Sequence, residues 1–259
     1  LPGVRVVRNI PITAFWETNR GCPFSCAFCD WGNGLTRSQF SNFSNERIFQ
    51  EIDWFAKNKI TNLHNCDSNF GVFPRDLEIA KKVTQAKHSL GFPKVFAATY
   101  SKNSNDRVFE ISRLIHKAKM SYGTTLSVQS MSELALKKIS RENIGTKKYF
   151  DLKKKYDEAK IPTYTEMILG LPGETFESWK VGFSKLMDAS MHDGIMVHPC
   201  GLFPNAPMAD PEYREKHKIE SIRRPLWSTY KWETGELAEK VDIVVQTESM
   251  TKQNWIEML

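Results

Sequence analysis

Short β-type runs alternate with amphipathic helical windows along most of the chain. The β-type runs are rich in β-branched and aromatic residues, and the helical windows repeat apolar residues every three or four positions. The β-type runs predict six strands at residues 12–16, 62–66, 95–98, 124–128, 163–169 and 195–197. The helical windows cover residues 48–55, the stretch after Pro74, residues 108–118, the 130s, 146–159 and 176–186. Strand–helix units in series imply a parallel sheet.

Right-handed crossovers wind such a sheet into an open or closed barrel. We therefore predict an α/β fold, a partial (βα)6 TIM-like barrel, over residues 1–203. Prolines interrupt the alternation beyond that point, so residues 204–259 are predicted to be a short C-terminal extension with one more strand at 241–245. The chain opens on Leu1 instead of methionine, and we expect both it and the extension to be truncated. Chemistry is expected at the carboxyl ends of the strands.

The composition is that of an ordered globular protein, with 41% hydrophobic and 25% charged residues. No apolar run is long enough to cross a bilayer, and no signal peptide opens the chain. The net charge is +6, but the basic residues are scattered as pairs and one triplet at 153–155 instead of forming a stripe. Nucleic-acid binding is therefore not indicated, whereas an anionic substrate is compatible with this charge.

The cysteines indicate a metal site in a reducing compartment. There are five, an odd number, and three of them fall within eight residues, which is not the pattern of a disulfide framework. Residues 22–29 read Cys-Pro-Phe-Ser-Cys-Ala-Phe-Cys, a Cys-x3-Cys-x2-Cys run directly after the first predicted strand. Three thiolates on a short loop can hold one face of a cubane cluster and leave one iron open. The alternative is structural zinc, with Cys66 or His64 as a fourth ligand.

Residues 17–32, Glu-Thr-Asn-Arg-Gly-Cys-Pro-Phe-Ser-Cys-Ala-Phe-Cys-Asp-Trp-Gly, resemble the radical S-adenosylmethionine (SAM) superfamily, and within it the cobalamin-dependent branch. The resemblance extends from about Phe15 to the tail. It implies a 4Fe–4S cluster on Cys22, Cys26 and Cys29, with SAM bound at the open iron. The branch contains many methyltransferases that act on unactivated carbon or phosphorus.

The resemblance also implies contacts with SAM at the ends of the second and third strands. Asp67, Ser68 and Asn69 occupy the position of the family's polar turn, where they would bind the amine of SAM. The alternative is a solvated turn, because Asp, Ser and Asn are common turn residues. Lys102 follows the third strand and would face the carboxylate of SAM, or it is an ordinary surface lysine.

The remaining expected SAM contacts follow the later strands. Gln129 would pair with the ribose and Arg141 with the carboxylate, and Ser127 belongs to the same predicted set; a lone Gln or Arg would otherwise be a surface residue. Gly170 would lie in the turn beside adenine, where glycine lets the backbone approach closely, with Ile168 as an apolar contact; the alternative is an ordinary strand–helix turn. Two further residues complete the predicted set, Leu202 after the sixth strand and Phe28 in the cysteine loop.

The resemblance implies that SAM is cleaved reductively and that the resulting radical takes hydrogen from a substrate, for methyl transfer with cobalamin. The alternatives are a non-methylating radical SAM enzyme (an epimerase, a rearrangement or a dehydrogenation) and a non-enzymatic metal-binding module. The expected partners are a small-molecule or peptide substrate and an electron donor such as flavodoxin or ferredoxin, with neither nucleic acid nor membrane. An oxygen-labile cluster implies the cytoplasm. The sequence assigns no catalytic side chain beyond the cofactor ligands.

Overall fold

The structure, a computed structural model, describes residues 10–32, 40–101, 106–191, 194–225 and 240–259. Among the helices in these ranges, none combines the length and the apolar character that crossing a bilayer requires. The described residues divide into two compact, discontinuous units. The first unit is drawn from segments 1–22, 39–126 and 144–164, and the second from 23–38, 127–143 and 165–259. The boundary expected at residue 203 stays a prediction.

The described strands, in chain order, are β1 (Thr13–Trp16), β2 (Asn19–Arg20), β3 (Ser41–Asn42), β4 (Asn62–Phe70), β5 (Val95–Tyr100), β6 (Thr124–Thr125), β7 (Thr163–Leu169), β8 (Ile195–Pro199), β9 (Gly201–Leu202), β10 (Glu220–Pro225) and β11 (Lys240–Gln246). The described helices are α1 (Asn45–Lys57), α2 (Pro74–Leu90), α3 (Asp106–Lys117), α4 (Glu133–Lys138), α5 (Thr146–Glu158), α6 (Phe176–Asp188), α7 (Pro211–Lys216) and α8 (Lys252–Glu257). Each predicted strand and helical window therefore has an observed counterpart.

In the first unit, β1, β4 and β5 form a parallel sheet in the order β1-β4-β5. Side chains alternate across a strand, and one face of this sheet is apolar. Trp16, Leu63 and Phe96 lie on that face in a buried cluster with Ile52 of α1 and Ile111 of α3. The apolar faces of the helices thus pack against the apolar face of the sheet, as the spacing of apolar residues in the sequence predicts. The opposite face carries Phe15, His64 and Ala97 in register.

In the second unit, β7 and β8 pair in parallel and place Ile168 opposite His198. The C-terminal part adds an antiparallel sheet in the order β10-β11-β9. Its central strand, β11, confirms the extra strand expected at residues 241–245. The helices α7 and α8 and strand β10 are not predicted by the sequence pattern, because they are short and lack a sustained apolar period.

Two strands differ from their predicted lengths. The second strand, predicted to end at Cys66, continues to Phe70, with a register irregularity between Asn65 and Phe70 where it pairs with β5. The fourth strand, predicted over 124–128, keeps regular pairing only at Thr124–Thr125. The first difference lies where the side chains of residues 67–69 bond the segment that ends at Cys22. The second lies where Arg141 and Asn143 donate to backbone carbonyl groups.

The turn after β4 depends on Gly71, which has φ +98°. A Cβ at this position would lie 2.7 Å from Cγ2 of buried Val108. Gly91, at the C-terminus of α2, has φ +77°, but a Cβ there would meet nothing within 4 Å. The two glycines therefore share the left-handed backbone and differ in packing.

We expect Gly91→Ala to lower the free energy of unfolding by about 1–2 kcal/mol, the cost of an L-residue in the left-handed region. Gly71→Ala should cost about 1–3 kcal/mol more, because its methyl group also overpacks the core. Urea denaturation followed by circular dichroism measures both values. Equal losses for the two variants would show that Val108 yields to the added methyl group.

Candidate functional site

The cysteine loop carries its three thiols in reduced form. Cys22 and Cys26 are buried, Cys29 is half-buried, and no disulfide involves them. Within the second unit the loop is anchored by its backbone: Ala27 N donates to Ile139 O at 2.8 Å and Met208 N donates to Ala27 O at 2.9 Å. Among the described residues, no group of three or more His, Cys, Asp or Glu side chains is gathered closely enough to hold a metal ion. The ligand assignment therefore stays a prediction based on the chemistry of the donors.

Asn69 contacts the thiol of Cys22 in the first unit. Its Nδ2 donates to Cys22 Sγ at 3.1 Å and to Ser68 Oγ at 3.1 Å. The hydroxyl of Ser68 donates in turn to the carbonyl of Gly21. The Oδ1 atom of Asn69 is buried and has no hydrogen-bond partner among the described residues. A buried amide oxygen without a donor is costly, so this atom is positioned to accept a hydrogen bond from a bound ligand.

The carboxylate of Asp67 is hydrogen-bonded to the segment that precedes the cysteine loop. Its Oδ1 accepts from Thr18 N at 2.7 Å and Asn19 N at 3.2 Å. Its Oδ2 accepts from Asn19 Nδ2 at 2.9 Å and from the hydroxyl of Thr18. These four bonds use the acceptor capacity of the carboxylate. Asp67 therefore fixes the residues that lead into the cysteine loop, and the expected contact of Asp67 with the amine of SAM stays a prediction.

The alternative of a solvated turn at residues 67–69 is also wrong. Asp67, Ser68 and Asn69 lie within β4 and are 1%, 8% and 2% exposed. Their polar groups are directed to the segment that precedes Cys22 and to Cys22 itself. The three residues are thus part of the same buried hydrogen-bond network as the first cysteine.

Arg141 contacts the thiol of Cys26 in the second unit. The side chain is 5% exposed and hydrogen-bonds the Cys26 thiol. Its Nε donates to Asn143 Oδ1 at 2.8 Å, and its Nη2 donates to Ser127 O at 2.9 Å. Burial lowers the pKa of the guanidinium, and the neighbouring Cys26 opposes that shift. An arginine stays charged in proteins, so a fixed positive charge lies beside this cysteine.

Gln129 lies at the point where β6 ends early. It has φ +64°, which is unusual for a residue with a side chain. Its backbone remains tied to β7, because Gln129 N donates to Glu166 O and Ile168 N donates to Gln129 O, both at 2.8 Å. The hydroxyl of Ser127 donates to Glu166 Oε2 at 2.5 Å. Ser127, Gln129 and Arg141, which the sequence predicts as ligand contacts, are therefore brought together in this unit.

The apolar members of the predicted set also meet in the second unit. Ile168 and Leu202 are 8% and 6% exposed and belong to one buried cluster, against which Phe28 packs. Gly170 has φ +109°, and a Cβ there would lie 3.1 Å from Val244 O and 3.3 Å from the Cβ of Cys200. Glycine at 170 is therefore favoured by its backbone conformation, and an added Cβ would also be tightly packed.

Lys102, from the predicted set, and Cys200, which follows β8, remain to be placed. Lys102 lies outside the described residues. Cys200 is buried, and burial raises the pKa of its thiol to about 12, so it behaves as inert packing.

Sequence reasoning misses Glu166 and Asn143. Glu166 faces Ser127, and its Oε1 lies 3.9 Å from His198 Nε2. The signal for Glu166 is a charged residue inside an otherwise uncharged strand, and such a residue usually has a specific partner. Asn143 bonds both Arg141 and the 127–130 segment. No sequence signal distinguishes it from a surface asparagine.

Comparison with known proteins identifies the family. A family model described as the radical SAM superfamily matches residues 16–181. The 2-(S-pantetheinyl)-carbapenam-3-carboxylate methyltransferase of Streptantibioticus cattleyicolor is 43% identical over 250 residues, 96% of this chain and 37% of that protein. The cobalamin-dependent radical SAM methyltransferase TokK of Streptomyces tokunonensis is 42% identical with the same coverage. The chain thus spans little more than a third of the length of these relatives.

Solved structures confirm the predicted partial-barrel fold. The radical SAM methyltransferase TsrM of Kitasatospora setae, with tryptophan and a SAM analogue bound, matches with a TM-score of 0.64 at 18% identity, over 82% of this chain and 41% of that chain. The radical SAM enzyme coproporphyrinogen III oxidase of Escherichia coli matches with a TM-score of 0.55 at 14% identity, over 77% of this chain and 46% of that chain. The chain belongs to the radical SAM superfamily.

Proposed function

We propose that this chain is the radical SAM core of a cobalamin-dependent methyltransferase. The observation that carries the proposal is the likeness to two named methyltransferases, at 43% and 42% identity over 96% of the chain. When bound, the cluster and SAM supply reductive cleavage of the sulfonium C–S bond and a radical that takes hydrogen from substrate, and cobalamin supplies the methyl transfer. The residues of the chain bind, orient and shield these groups.

Cys22, Cys26 and Cys29 would hold the cluster. The donor set fits, because the three thiols lie on one short loop and are not joined in disulfides. Cys22 accepts a hydrogen bond from Asn69, and Cys26 is bonded to Arg141. Neighbours that hydrogen-bond a ligating atom hold it in a fixed orientation for the metal.

In the first unit, Asn69 would bind the amine of SAM. The ammonium group is a donor, and the buried Oδ1 of Asn69 is an acceptor with no partner among the described residues. Ser68 is engaged with Gly21 and Asn69, so we assign it to holding the asparagine in place. Asp67 is assigned to the loop that precedes Cys22, because its lone pairs are used there.

In the second unit, Arg141 would pair with the carboxylate of SAM, and Gln129 and Ser127 would contact the ribose hydroxyls. The supporting observation is that the hydrogen bonds of Arg141 and Gln129 fix both residues beside Cys26 and β7. The apolar surface of Phe28, Ile168 and Leu202 would contact adenine. Gly170 allows the backbone to approach closely there.

The partners follow from this chemistry. The proposed substrate is a small molecule or peptide, and the proposed electron donor is a protein such as flavodoxin or ferredoxin, since the cluster must be reduced before each cleavage. An oxygen-labile cluster and cysteines that are not joined in disulfides favour the reducing cytoplasm as the place where the protein works.

We expect the protein, loaded anaerobically with iron and sulfide and given SAM and dithionite, to form 5′-deoxyadenosine. Cys26→Ala should abolish its formation and lower the bound iron, because one of three cluster ligands is removed. Cys66→Ala is the matched control and should retain both, since this half-buried thiol lies outside the loop. Mass spectrometry and iron analysis measure the two quantities. Binding of one zinc without iron or sulfide would contradict the proposal.

The cobalamin part of the proposal predicts a second product. When cobalamin is added to the full-length protein, S-adenosylhomocysteine should accumulate beside 5′-deoxyadenosine, because one SAM loses its methyl group and another is cleaved. Methyl-labelled SAM followed by mass spectrometry separates the two products. Formation of 5′-deoxyadenosine alone, with or without cobalamin, would favour a non-methylating radical SAM enzyme.

A further inference from the structure

The segment 127–130 pairs irregularly with β7: its backbone bonds β7 at Gln129, whereas two side chains donate to the carbonyl groups of Ser127, Val128 and Ser130. Arg141 Nη2 donates to Ser127 O at 2.9 Å. Asn143 Nδ2 donates to Val128 O at 2.7 Å and to Ser130 O at 3.1 Å. The regular strand predicted for this segment is therefore replaced by a short irregular one whose shape depends on side chains.

The turn at the centre of this segment is strained. Ser130 N donates to Val128 O at 2.8 Å, which closes a three-residue turn around Gln129 with φ +64°. Three-residue turns with positive φ at the centre are rare and strained. Such a conformation persists only where the surroundings determine it. The bonds from Asn143 to the residues on each side of Gln129 are placed to do so.

The same side chain also orients Arg141. The Oδ1 atom of Asn143 accepts from Arg141 Nε at 2.8 Å. The two N–H groups and the oxygen of this one amide are thus all used within the segment that carries Arg141 and Gln129. Movement of Asn143 would disturb the guanidinium and the turn together.

We propose that Asn143 is a positioning residue for SAM, which sets the guanidinium of Arg141 for the carboxylate and the turn of Gln129 for the ribose. This inference rests on the proposed function, because it requires that Arg141 and Gln129 contact SAM. Asn143 need not touch SAM itself. Its effect comes from placing two contacts in one fixed geometry, and small displacements of such groups are costly.

Asn143→Leu tests the inference, because leucine has a similar size and removes all three hydrogen bonds. In the reconstituted protein with its cluster loaded, the affinity for SAM should fall about 10-fold to 100-fold, measured by equilibrium dialysis. The affinity for decarboxylated SAM should fall less, because that analogue has no carboxylate for Arg141. Asn58→Leu is the matched control, since Asn58 also donates to a backbone carbonyl, that of Trp54 at 2.9 Å, but lies at the end of α1.

A double-mutant cycle with Arg141→Lys shows whether Asn143 acts through the arginine. If it does, Asn143→Leu should weaken SAM binding less in the Arg141→Lys variant than in wild type. The two losses of affinity are then less than additive in the double variant. Additive losses, or a variant that lowers the thermal midpoint but binds SAM like wild type, would overturn the inference.

The failure of this inference is distinguishable from the failure of the proposed function. If the cluster-loaded wild-type protein binds no SAM, the proposed function is wrong and the inference is wrong with it. If wild type binds SAM, and Asn143→Leu binds both SAM and its decarboxylated analogue as tightly as wild type does, only the role of Asn143 is wrong. The fall in affinity of the variant together with unchanged iron content is the result that supports it.

Discussion

The buried carboxylate of Asp67 is the constraint on which the position of the first cysteine depends. Removing an ionised carboxylate from water costs several kcal/mol unless donors fill its lone pairs. Thr18 and Asn19 supply those donors, two from the backbone and two from side chains. Thr18 and Asn19, just before Cys22, are therefore held in the one position in which they bond the carboxylate of Asp67. Asp67 lies in β4, far in the sequence from the cysteine loop that it fixes.

In the second unit, hydrogen bonds between mainly neutral groups fix the position of the 127–130 segment. Ser130 donates its N–H to Val128, accepts from Asn143 at its carbonyl and donates its hydroxyl to Glu174. Burial raises the pKa of Glu174, and the hydroxyls of Ser130 and Ser178 oppose that shift. A segment whose carbonyl groups are bonded in this way can hold a strained residue, because relaxation would leave a buried group unpaired.

The sequence predicts the parts of the structure that depend on local periodicity. The strands at 163–169 and 95–98 and the helix at 146–159 follow from apolar spacing, and the cysteine loop follows from its motif. The early end of β6 cannot be predicted in this way. Arg141 and Asn143, which donate to the carbonyl groups of the 127–130 segment, come after another helix in the sequence. The roles of residues 67–69 depend equally on partners that are distant in the sequence.

The resemblance to a family assigns a role to a whole motif. The hydrogen bonds that each side chain already makes distinguish the roles of neighbouring residues within that motif. In the Asp-Ser-Asn run of β4, the aspartate is occupied by four donors and the serine hydroxyl by a carbonyl. Asn69 divides its amide: the N–H groups bond Cys22 and Ser68, and the oxygen is left buried without a partner among the described residues. An ammonium group needs an acceptor whose lone pairs are open. Within this run that requirement selects Asn69, although charge alone would select Asp67.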